Sequence, residues 1–193
     1  VNPAPDLPII AFDSEREWQE WLEANHATSP GVWMKIAKKA SGVQTASYPA
    51  VLDTAICFGW IDGQRRALDT RYFLQRFTPR RPRSKWSRVN REKATKLVEE
   101  GRMRPAGLAE VQRAREDGRW DAAYEAQSRA TVPDDLQRAL DCNPKAQAFF
   151  ATLDSQNRYA VLYRIQDARR AQTRARRIEQ FVAMLNAGEK VYP

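Results

Sequence analysis

Two prolines fix the plan of this chain. Pro79 and Pro82 enclose Arg80 and Arg81. A proline lacks the backbone N–H and locks φ, so neither a ladder strand nor a helix interior runs through that spacing. Residues 78–84 are therefore read as a loop carrying its arginines outside any regular element. Strand signals stand before this loop and helical signals after it.

Upstream, Ser14 and Glu17 have the spacing of a capping box, and Trp18, Trp21 and Leu22 share one face of the helix that follows. That helix stops near His26, ahead of Ser29, Pro30 and Gly31. The β-branched and aromatic content of 32–38 predicts a strand, and the apolar run over 48–58 a buried helix. Gly59 and Gly63 bracket Trp60, Ile61 and Asp62, and the stretch to Pro79 reads as two short strands joined near Asp69 and Thr70. Alternation over 72–77 marks the second. Downstream, Ser84 is read as the cap of a helix ending at Gly101, and Pro105 opens another ending at Gly118. Helices are then expected at 133–142, 144–153, 156–167 and 171–187. The last carries Ile178, Phe181, Val182 and Leu185 as one stripe. The fold class expected is α+β: a small sheet with flanking helices in the N-terminal part and an all-helical C-terminal part. The domain expectation is an extended tail at 1–11, an α+β domain at 12–104 and a helical domain at 105–193.

Composition narrows the chemistry. With 193 residues, 42% hydrophobic and 29% charged, the chain can bury a core without staples and has no apolar run long enough to span a membrane. Two cysteines, Cys57 and Cys142, and one histidine, His26, do not suffice for a disulfide framework or a multi-histidine metal centre, and no cofactor is expected. No signal-peptide pattern opens the sequence, and a cytoplasmic location is expected.

The net charge of +8 is unevenly placed. Residues 64–93 carry +9, residues 158–177 carry +6, and the rest sums to −7. Such asymmetry points to an anionic partner, either a small molecule or nucleic acid, with an acidic protein as a further option. Arginine outnumbers lysine 24 to 8, which suits forked recognition of phosphate or carboxylate. The candidate ligand site is Trp60, Asp62, Arg65, Arg76, Arg80, Arg81, Ser84, Trp86 and Asn90. In this reading the arginines and Ser84 hold the anion, the tryptophans stack, and Asp62 orients Arg65. The opposing reading has the tryptophans filling the core and Asp62 ordering a turn. His26 and Cys57 are read as a helix cap and a packed thiol, and no catalytic residue is assigned. Arg174 and Arg177 open the last helix against its dipole, which calls for local acids or an external anion.

Several of these stretches resemble one bacterial family. They are Trp18-x-x-Trp21-Leu22, Gly31-Val32-Trp33, Cys57-Phe58-Gly59-Trp60-Ile61-Asp62-Gly63, Pro79-Arg80-Arg81-Pro82, Ser84-Lys85-Trp86-Ser87, Gly101-Arg102-Met103, Asp117-Gly118-Arg119-Trp120, Asn157-Arg158-Tyr159 and 173–178. Together they are similar to the YdeI/OmpD-associated family from residue 12 onward. The last sixty residues resemble its bacteriocin-protection domain, from about residue 130, and the N-terminal part resembles YdhG-like α+β domains. The resemblance implies a part in tolerance of bacteriocins, antimicrobial peptides or stress, and brings no catalytic residues. Bacteriocins are mostly cationic and a +8 chain repels them at long range, so protection through an anionic partner is expected over direct capture. The role expected is intracellular binding. The alternatives are nucleic-acid binding and a small-substrate enzyme with an Asp/Arg/Trp pocket.

Overall fold

The computed structural model describes residues 7–193; residues 1–6 of the expected tail lie outside the described residues. Two compact units emerge. The first holds the chain up to Trp86 together with Asn90–Ala122, and the second holds Ser87–Val89 with Ala123–Pro193.

In the first unit, β1 (Ile9–Ala11) leads into α1 (Glu15–Asn25) and then β2 (Val32–Ala37), so the last residues of the expected tail form a strand. The Ser14 hydroxyl accepts the Glu17 N–H at 3.3 Å, while the Glu17 carboxylate accepts the Asp13 N–H at 3.0 Å. Both groups of the expected box take part, with the return bond one residue earlier. Next come α2 (Tyr48–Cys57), β3 (Trp60–Ala67) and β4 (Tyr72–Pro79). The sheet order is β1-β2-β4-β3, with β1 parallel to β2 and the other pairings antiparallel.

Alternation sorts the strands into two faces. Val32, Met34, Ile36, Phe73, Gln75 and Phe77 share the face turned to the core, and all are buried. Trp18 and Leu22 of α1 are fully buried, and Trp18 meets Phe77 at 5.6 Å and Trp60 at 6.2 Å. Trp21 stacks on Trp18 at 5.4 Å and meets Trp60 edge-on. Each fully buried tryptophan removes about 150–250 Å² from water, on the order of 4–6 kcal/mol before entropy is charged. This cluster clamps α1 to the sheet.

Two helices complete the unit. Helix α3 spans Arg88–Glu99, so the start expected just after a Ser84 cap is corrected by three residues. The Ser84 hydroxyl instead accepts the Arg81 N–H at 2.9 Å and its own N–H donates to the Arg81 carbonyl, closing a turn inside the loop. Helix α4 (Pro105–Glu116) crosses the end of α2 at Gly107, where a Cβ would lie 2.2 Å from the Cys57 carbonyl oxygen.

The second unit is helical: α5 (Asp134–Asp141), α6 (Pro144–Thr152), α7 (Ser155–Gln166) and α8 (Ala171–Asn186). Its core joins Leu136, Leu140, Phe150, Val161, Ile165, Ile178, Val182 and Leu185. Ile178, Val182 and Leu185 are the buried part of the expected stripe, with Phe181 half-buried at its edge. An α+β unit followed by a helical unit is the fold class read from the sequence. Among the described residues, no helix is long and apolar enough to cross a membrane.

Glycine in a helix interior ordinarily costs about 1 kcal/mol relative to alanine. At Gly107 the sign reverses, because alanine there drives into backbone that has nowhere to go. Gly107→Ala is expected to lower the unfolding free energy by about 2 kcal/mol in urea titration, whereas a propensity-dominated site would gain stability.

Candidate functional site

The hairpin is shaped by two local devices. At its tip, the Asp69 carboxylate accepts the N–H groups of Arg71 and Tyr72 at 2.7 and 2.8 Å, and these bonds hold Asp69 below the usual carboxylate range. Along β3 the register shifts between Asp62 and Arg65. The bulge is pinned by buried Gln75, whose amide donates to the Gly63 carbonyl at 2.9 Å and the Gln64 carbonyl at 3.3 Å. Gly63 lets the Arg76 guanidinium approach closely, since a Cβ there would sit 3.2 Å from Arg76 Nε. A bulge re-aims the residues that follow it.

Cations then settle on rings. The Arg65 guanidinium lies 3.8 Å from the Phe73 centroid, Arg66 4.3 Å over Trp33, and Lys35 4.0 Å over Tyr72. Among the described residues, no carboxylate lies within ion-pair distance of Arg65, Arg66, Arg71, Arg76, Arg81 or Arg83. Elsewhere in the unit arginines are matched: Arg102 with Glu15, Arg104 with Glu23.

Where the sheet ends, the chain turns through the Pro79–Pro82 loop and buries one of its arginines. Arg80 is 6% exposed, its N–H donates to the Gly59 carbonyl, and its guanidinium stacks 3.5 Å over Trp86. Arg80 Nη1 reaches the Lys85 carbonyl at 3.4 Å, and Arg119 Nη1 donates to the adjacent Ser84 carbonyl at 2.7 Å. Arg119, itself 9% exposed, is gripped through Nε by Asp117 at 2.7 Å. Trp120 packs edge-on to Trp86 at 5.0 Å. Two guanidinium groups thus converge on neighbouring carbonyls of one turn, beside an indole. Arg119 Nη2 and Trp86 Nε1 are buried and have no acceptor among the described residues.

The structure divides the nine expected site residues. Arg80, Ser84 and Trp86 come together at this corner, while Arg81 is exposed on the turn. Asn90 is buried on α3. Arg65 and Arg76 lie on the hairpin. Trp60 belongs to the core cluster with Trp18 and Trp21, donates its indole N–H to the His26 carbonyl at 3.2 Å, and shares no ring partner with Trp86. Asp62 accepts from the Tyr48 hydroxyl at 2.8 Å rather than orienting Arg65; burial first, then the Asp62 charge, pushes the Tyr48 phenol well up. His26 caps α1, its Nδ1 2.9 Å from the Leu22 carbonyl, and burial pushes the Cys57 thiol up, which makes it a poor nucleophile. Sequence reading left Asp117, Arg119 and Trp120 outside the site. Their signal was the Asp117-Gly118-Arg119-Trp120 motif, which sets an arginine directly beside a tryptophan about forty residues downstream of Pro79.

The basic start of α8 has local partners. Arg174 binds Asp135 through Nε at 2.5 Å and Nη2 at 2.9 Å, and its Nη1 donates to the Ile165 carbonyl. Arg177 donates to the Arg164 carbonyl. The acids that a basic helix start calls for are therefore supplied within the unit.

Two family models match the chain. Residues 10–110 match a domain of unknown function, DUF8412, and residues 129–188 match the model described as Bacteriocin-protection, YdeI or OmpD-Associated. The chain belongs to the DUF8412 family. Its C-terminal part carries the YdeI/OmpD-associated domain, so the resemblance expected along most of the chain holds for that part, and the N-terminal part matches DUF8412 where a YdhG-like domain was expected. No curated protein and no solved structure matches it.

The Arg174 pair gives the second unit an acid-sensitive latch. The Arg174 hydrogen bonds hold the Asp135 carboxyl below its ordinary value. A depressed folded pKa adds stability above the unfolded value, and that stability is lost as pH falls through the folded one. Asp135→Asn is expected to lower stability at neutral pH by about 1 kcal/mol and to flatten the acid limb below about pH 4. Urea titrations across that window read both effects.

Proposed function

We propose that this chain is an intracellular binding protein whose N-terminal unit holds a small oxyanion, phosphate or carboxylate in class, at the Arg80–Trp86–Arg119 corner. The observation that carries this is the pair of buried donors, Arg119 Nη2 and Trp86 Nε1, left without an acceptor beside two buried guanidinium groups. A buried donor without a partner costs about 1–3 kcal/mol, more when charged, and an oxyanion removes that cost for both. In this reading Arg80 and Arg119 supply charge and Trp86 supplies an N–H. Asp117 fixes the angle of Arg119, and the Ser84 turn holds the carbonyls that orient both forks. The bacteriocin-protection label of the C-terminal domain then fits indirect protection through an anionic partner, because a chain of net charge +8 repels cationic peptides.

Phosphate is the probe, titrated at constant ionic strength against chloride. At a hundred times its Kd it is expected to raise the unfolding free energy of the protein by about 2.7 kcal/mol. Trp86→Phe keeps the ring and removes the N–H, and is expected to weaken binding about tenfold. Arg119→Met abolishes it. Stabilisation by phosphate no greater than by chloride, or undiminished in both variants, overturns the reading.

A further inference from the structure

A second surface of the first unit lies on the opposite side of the sheet from the core. Register places Trp33, Lys35, Tyr72, Leu74 and Arg76 together on that face, on the two central strands β2 and β4. Arg66 joins them from β3, paired with Leu74, and Ile9 from β1, paired with Trp33. Helix α1 packs through Trp18 on the other face, against Phe77. Among the described residues, no strand position on the outer face is Asp or Glu; Asp69 at the hairpin tip is occupied by the N–H groups of Arg71 and Tyr72.

We infer that this face binds single-stranded nucleic acid. Among the described residues, Arg66 and Arg76 are ordered without an ion pair, and the one carboxylate that acts on Lys35 and Arg71 is Asp69 at the hairpin tip. Arg66 is exposed yet held 4.3 Å from the Trp33 ring centroid, and Lys35 is held 4.0 Å from that of Tyr72. Arg76 lies along Gly63 with its Nε buried and unbonded. A guanidinium stacked on a ring presents its outer plane to a further π system, so a base stacks on Arg66 while the phosphates meet Arg71, Arg76 and Lys35. Trp33 is buried beneath Arg66, so the stacking plane the face offers a base is the ordered guanidinium and not the indole. A duplex, whose bases are closed to stacking, gains only the charge term. This site is separate from the Arg80–Trp86–Arg119 corner and does not rest on it.

The test uses the whole chain and a labelled oligouridine of about ten nucleotides, read by fluorescence anisotropy. With about three phosphates neutralised, log K is expected to fall with log salt at a slope of about −2. The single strand should bind more tightly than the same length of duplex. Replacing Arg66 and Arg76 together by Ala, at exposed and half-buried strand positions, is expected to weaken binding about tenfold while the phosphate response of Trp86 and Arg119 stays unchanged. Conversely, Trp86→Phe should leave oligouridine binding intact. Three results overturn the inference: no binding at low salt, equal affinity for duplex, or affinity for anionic vesicles in place of oligouridine that the double variant abolishes. Loss of the phosphate response alone sinks only the corner site.

Discussion

Everything in the first unit hangs on the packing of Trp18 against Phe77 and Trp60. It fixes α1 on the sheet and sets which face of β4 is inside. Once Phe77 is inward, Arg76 is outward, and Arg80 leaves the strand just past Pro79. The Arg80 N–H bond to Gly59 then ties the exit of β4 to the entry of β3. A polar group placed in that cluster would cost several kcal/mol and release both basic surfaces at once. The function proposed for each surface is thus downstream of one apolar contact.

The fold was legible because local and global signals agreed. Ser14, the alternation over 72–77, the prolines and the stripe of α8 each specified an element that packing then kept. Ser84 misled because a serine before a helix and a serine closing a tight turn carry the same local pattern. Its choice was decided by Arg81 and Arg119, which bind its hydroxyl and its carbonyl. Trp60 and Trp86 looked equivalent as aromatics beside arginines. Only tertiary structure separates an indole whose N–H meets a core carbonyl from one whose N–H meets no acceptor among the described residues. The Gly107 crossing left no trace of its reason, because nothing in a single sequence says what lies 2.2 Å from an absent Cβ.

The arginines of the hairpin and the arginine at the start of α8 are held by different partners, and the difference is physical. Arg174 sits where its charge opposes the helix dipole, and Asp135 removes that cost through a two-pronged pair. Arg65 and Arg66 sit on strands, where no dipole opposes them, and their ordering comes from rings rather than carboxylates. A ring holds a guanidinium in place without cancelling its charge. Carboxylates would have spent the charge; aromatic faces preserve it for a ligand. Of the +9 over residues 64–93, the part carried by the hairpin therefore remains a field directed outward, whereas the basic start of α8 is largely internal bonding. Net charge counted along a chain says where cations are. Whether they act on a partner depends on what holds them, and in the first unit that is Trp33, Tyr72, Phe73 and Trp86.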